Sequence, residues 1–133
     1  MKRRSRLERG AIAVWTAVAL PAFIIVIGLG VDYSGHTRAT QEARAVAAEA
    51  ARTGGQQISL ATGRAAPALT SGRIAAERFA ERSGYASTTT VDARAITVTV
   101  HGQYDTSFLG IIGVWSLDVE ASATASVESV TNN

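Results

Sequence analysis

Residues 11–31 read AIAVWTAVALPAFIIVIGLGV, an unbroken run of 21 residues with no charged side chain. As a helix rising about 1.5 Å per residue it is about 31 Å long, the thickness of a bilayer's hydrocarbon core. A lone segment in hydrocarbon must satisfy its own backbone polar groups, and only a helix does so. The preceding stretch, MKRRSRLERG, carries five basic residues and one acid, and Asp32 follows the run at once. Basic flanks stay on the cytoplasmic side. The expected organisation is therefore a basic cytoplasmic tail (1–10), a transmembrane helix (11–31) and an extracytoplasmic remainder. Two other readings of the run are weaker. A core helix apolar on every face needs a domain large enough to surround it, which 133 residues do not supply. A cleaved secretory signal has a shorter apolar stretch and a small-residue cleavage site close behind, and none follows here. Pro21 removes one backbone bond in mid-span, while Gly28 and Gly30 permit close contact near its outer end.

Charge is distributed in keeping with this organisation. The net charge of +2 conceals a basic tail and, beyond residue 31, eight arginines against ten acids. A basic tail alone suits nucleic acid, but this one abuts an apolar run. The remainder holds no basic patch able to track phosphates, so no nucleic-acid partner is expected. With no cysteine in the chain, disulfides and thiolate metal sites are excluded.

Beyond the span the period stays helical. In residues 37–53, Ala39, Ala43, Val46, Ala47 and Ala50 fall on one face. Arg38/Glu42 and Glu49/Arg52 lie at ion-pair spacing away from that face. The reading is an alanine-rich helix over 32–53, continuous with the span, bent at Ser34-Gly35 and stopped by Gly54-Gly55. The small-residue stripe Ala39, Ala43, Ala47 and Ala50 is the expected helix-packing interface. Residues 54–70, punctuated by glycines and Pro67, read as a loop. A short amphipathic helix follows from Ser71 to about Ser83, anchored by Ile74 and Phe79. From Tyr85 the period becomes two. Ile96, Val98 and Val100 share one face and Thr97, Thr99 and His101 the other. Trp115, Leu117, Val119, Ala121, Ala123, Ala125 and Val127 then alternate with polar residues. Thr88–Val91 supplies a third strand. The pattern is that of an antiparallel sheet with one wet face. The linker Ser107–Gly113 reads as a helical turn capping the core. Residues 71–130 thus form a helix-plus-sheet domain, and the fold class is α+β: a long N-terminal helix, a short second helix and about three antiparallel strands.

No catalytic constellation emerges. His36 and His101 lie on different elements without metal-ligand spacing. Gly28-x-Gly30 sits within the span and lacks a third glycine, so it is no dinucleotide loop. Neither a phosphate-binding loop nor a nucleophile elbow is present. Asp118 and Glu120 share the wet face of one strand, which reads as a solvated surface rather than a carboxylate pair. Asp32, at the membrane border, reads as a polar helix flank, with pairing to a basic partner or fixing of the helix depth as the functional alternative. No metal, no cofactor and no enzymatic activity are expected.

Arg9-Gly10 before a charge-free span, then Val31-Asp32-Tyr33, then an alanine-rich helix with Gln41, Ala43 and Ala47-Ala48, resembles the TadE/TadG-like proteins of bacterial Tad (Flp) pilus assembly. The ITVTV strand, the FLGIIG linker and the VEASATASV strand fit the same layout. The resemblance implies a pilin-like fold and a minor pilin or assembly subunit in the inner membrane. Its partners would be the lipid bilayer, other pilus subunits and a prepilin peptidase. Such a peptidase cuts TadE-type members after a glycine preceding the apolar helix, which corresponds here to Gly10-Ala11. The glutamate those members carry five residues on is replaced by Trp15, a departure the TadG-like pattern accommodates better. Both forms stay open, as does a membrane-tethered extracytoplasmic binding module unrelated to pili.

Overall fold

In the computed structural model, which describes residues 4–60, 65–92 and 94–127 (without the side chains of 4–9, 65 and 66), helix α1 runs unbroken over Arg4–Leu60. At about 1.5 Å per residue it is about 86 Å long. The apolar run lies in its N-terminal half, and among the described residues it is almost wholly uncovered, Gly28 being buried under Phe108. Large side chains from Ile12 to Val31 are 45–73% exposed. This is the opposite of a core helix. Among the described residues one helix is long and apolar enough to cross a membrane, and it is this one. Pro21 lies inside it without ending it.

Helix α2 spans Ala65–Arg82, followed by β1 (Ala86–Val91), β2 (Ala95–Asp105), a 3-10 turn (Leu109–Ile112) and β3 (Ser116–Ser126). The strands form one antiparallel meander in the order β1-β2-β3. The fold is α+β, as the periodicities indicate.

The stretch 54–70 differs from expectation. It is not a loop: α1 continues to Leu60 and α2 begins at Ala65, with residues 61–64 outside the described part. Gly54-Gly55 does not stop the helix, and Gly54 serves packing instead. A Cβ on Gly54 would lie 2.8 Å from the Gly72 carbonyl oxygen and would collide with Ile96. Here α1 and α2 cross backbone to backbone. Pro67 falls in the first turn of α2, where a missing N–H breaks no helical bond. The helix then ends in a reciprocal cap. Gly84 adopts φ +84°, its N–H reaches the Glu81 carbonyl at 3.0 Å, and the Tyr85 N–H reaches the Ala80 carbonyl at 3.0 Å.

The core lies between the helices and one face of the sheet. The sheet contributes bulk, with Ile96, Val98, Val100 and Val119 buried. The helices contribute almost only alanine: Ala43, Ala47, Ala50 and Ala51 from α1, Ala76 and Ala80 from α2. Small side chains set a short helix-to-sheet distance. Of the predicted anchors of α2, Phe79 is half-buried and packs against the core, but Ile74 is corrected: it is 39% exposed, while Ala68, Gly72, Ala76 and Ala80, four residues apart, face inward. The β3 face is also shorter than expected, since Trp115 stands outside the strand and is exposed. The wet face carries the expected polar ladder, with Thr97 and Thr124 hydroxyls 2.8 Å apart and Thr99 and Ser122 hydroxyls 2.9 Å apart.

Candidate functional site

The junction where α1 leaves its apolar run holds the buried charge of the described residues. Asp32 has no accessible surface, and it is the buried polar residue of the described part. Its carboxylate accepts three consecutive backbone N–H groups. Ser107 donates to Oδ1 at 2.7 Å, and Phe108 and Leu109 donate to Oδ2 at 2.9 and 2.6 Å. These are the orphan donors at the start of the 3-10 turn, and their aligned dipoles favour an anion. Burial by itself raises the carboxyl's pKa. The N–H groups of Leu109, Ser107 and Phe108 outweigh that and hold it below the usual aspartate value. Asp32 therefore clamps the β2–β3 connection to α1, and the reading of a plain polar flank is corrected.

Glycines on either side of Asp32 let the clamp close. A Cβ on Gly28 would lie 2.7 Å from the Phe108 Cβ, so the Phe108 ring rests on the bare helix backbone. One turn beyond Asp32, the Tyr104 ring occupies the space above Gly35. The helix runs through Ser34-Gly35 as helix, and Gly35 makes room for an aromatic ring. His36 stands edge-on to Tyr104 with centroids 6.4 Å apart, and its Nε2–H donates to the Asp118 carbonyl at 3.0 Å. Gly28 and Asp32 thus pin one face of α1 to the β2–β3 connection, and Gly35 and His36 continue that face onto Tyr104 of β2 and Asp118 of β3.

The connection does not cap the core, contrary to the sequence reading. No residue of the 3-10 turn is buried, and Ile111 and Ile112 point outward. Gly113 closes the turn at φ +91°. The Trp115 ring lies against Gly110, where a Cβ would meet it at 3.0 Å.

The other predicted positions are separate from this junction. Gly10 and Ala11 lie on α1 and are exposed. Ala43, Ala47 and Ala50 are wholly buried within the chain and Ala39 is partly so, against the sheet and α2. The stripe is thus occupied inside the fold and closed to a neighbouring subunit. Asp118 and Glu120 are exposed and have different neighbours, Gln103 at 3.4 Å and His101 at 3.4 Å. Among the described residues no three His, Asp or Glu gather as a metal site. The residues that sequence reasoning missed are Ser107, Phe108 and Leu109. They hold Asp32 through backbone N–H groups, which no side-chain motif marks.

Residues 10–57 match the family model described as "Putative Flp pilus-assembly TadE/G-like". The match covers the apolar run, Asp32 and the alanine-rich part of α1, and stops before α2 and the sheet. It supports involvement in Flp pilus assembly. No curated protein and no solved structure matches the chain.

Proposed function

We propose that this chain is a membrane-anchored, pilin-like or assembly subunit of a Flp-type pilus, acting through packing and subunit contacts rather than catalysis. The observation that carries the proposal is α1 itself. One helix is bare and apolar over residues 11–31, then packed on a small antiparallel sheet beyond Asp32. The family match over residues 10–57 falls on that helix. In this reading the basic tail stays in the cytoplasm, α1 crosses the inner membrane once, and α2 and the sheet lie outside. Neighbouring subunits of the pilus or its machine are the partners. With the alanine stripe closed, the bare span and the wet sheet face are among the surfaces left for them.

Gly10-Ala11 is the proposed processing point for a prepilin peptidase. The intact mass of membrane-purified protein separates two forms of the role. A chain beginning at Ala11 is a substrate released towards a fibre, and a full-length chain is a permanent anchor. Deletion of the gene should abolish or sharply reduce piliation, with restoration by the intact gene. Normal piliation in the deletion strain, with no second copy to substitute, would sink the assembly role.

A further inference from the structure

We propose that the β2–β3 connection, residues 106–115, is a second membrane contact that dips into the outer-leaflet interface beside the transmembrane helix. The inference rests on the membrane-anchor reading of α1. Its first support is position. Phe108 packs on Gly28, which lies inside the apolar run and about 4.5 Å before its last residue along the helix. If Gly28 is at membrane depth, Phe108 is too, and the turn that starts at Phe108 is held at the headgroup boundary.

The second support is composition. Residues 106–115 read TSFLGIIGVW, ten residues with no charge. Ile111 is 81% exposed, Ile112 68% and Trp115 72%. Single exposed apolar residues are ordinary, but three large ones on one short turn form a patch. Tryptophan is the side chain favoured at the bilayer interface.

The third support is the backbone. A non-helical segment entering lipid must satisfy its polar groups within the protein. Ser107, Phe108 and Leu109 donate to Asp32. Ile111 donates to the Phe108 carbonyl, Gly113 to Gly110 and Val114 to Leu109, at 3.0–3.1 Å. The Thr106 hydroxyl donates to the Val114 carbonyl at 2.5 Å. Asp32 therefore has a further consequence: it ties off the donors of a turn that water does not reach.

The chain's two tryptophans make the test direct. Full-length protein is reconstituted in phosphatidylcholine vesicles with bromine on the upper acyl chain, and also in unbrominated vesicles. Trp15→Phe leaves Trp115 as the reporter, and Trp115→Phe leaves Trp15 in the span. The expected result is strong bromolipid quenching of both reporters, with Trp115 shielded from acrylamide. In the Trp15→Phe background, adding Ile111→Ser and Ile112→Ser should shift Trp115 emission to the red and weaken its lipid quenching. Quenching of Trp15 with Trp115 open to acrylamide would overturn the inference and leave the anchor standing. Shielding of Trp115 from acrylamide without bromolipid quenching would also overturn it, in favour of coverage by a second copy. Absence of quenching at both positions would remove the anchor reading itself.

Discussion

Asp32 is the residue whose replacement should reveal most. Asparagine has the same shape but offers one acceptor oxygen and adds two donors, which would face the N–H groups of Ser107, Phe108 and Leu109. Leaving buried donors unmatched is destabilising. We expect Asp32→Asn to lower the Tm of the detergent-solubilised protein at neutral pH. The pH dependence has a definite sign. The folded-state pKa is depressed, so the carboxylate's contribution is complete above the unfolded value of about 3.9 and is lost as pH falls through the folded value. The Tm gap between wild type and Asp32→Asn should thus be constant from neutral pH to about pH 5 and close below about pH 4. A gap that persisted unchanged at pH 2–3 would show that charge is not what holds the turn. The position of Asp32 after an apolar run was plain in the sequence. Its partners were not, because they lie some 75 residues away and are backbone groups.

At the scale of elements, adjacent glycines on α1 should respond in opposite directions. A Cβ at Gly54 runs into the Gly72 carbonyl oxygen and Ile96, whereas at Gly55 it meets Ala125 and Ile96 at an ordinary 3.7 Å. Gly54→Ala should therefore destabilise by about 1–3 kcal/mol through overpacking. Gly55→Ala should be neutral or stabilising by up to about 1 kcal/mol, because a helix-interior glycine is replaced by the best helix former. Chemical denaturation of the two variants checks both signs. Ala43→Leu should cost about 1–3 kcal/mol by forcing α1 off the sheet. A wild-type midpoint for that variant would mean that the stripe is a matter of helix propensity alone. These positions show where sequence reading stopped. Alternation in β2 was legible because one face is buried and the other wet, and Ile96, Val98 and Val100 lie where the period puts them. The end of α1 was not legible. A Gly-Gly pair is a stop by local preference, and a close helix crossing overrides that preference. For the same reason the inward face of α2 was misread: with α1 crossing at Gly72, only small residues fit, and Ile74 turns outward.

At the scale of the whole molecule, the proposed function gives one long helix two solvents. Residues 11–31 are bare and apolar, and the rest of α1 lies on a core whose helical side is alanine and glycine. Such a core buries little area per residue, so its stability depends on close packing of Ile96, Val98 and Val100. Ile96→Ala should cost about 2–5 kcal/mol. It should do so without displacing the span, because residues 11–31 make few contacts with the domain. Fractionation that still finds Ile96→Ala in the membrane while its sheet unfolds earlier would agree with this separation. The central claim is the single crossing, with the tail inside and the sheet outside, and the absence of cysteine offers a clean background for it. Ser5→Cys and Thr88→Cys, made separately, should be treated with a membrane-impermeant thiol reagent on spheroplasts before and after permeabilisation. The account predicts that Thr88→Cys labels at once and that Ser5→Cys, in chain that keeps residues 1–10, labels only after permeabilisation. Labelling of Ser5→Cys in intact spheroplasts, or protection of Thr88→Cys until they are opened, would contradict it.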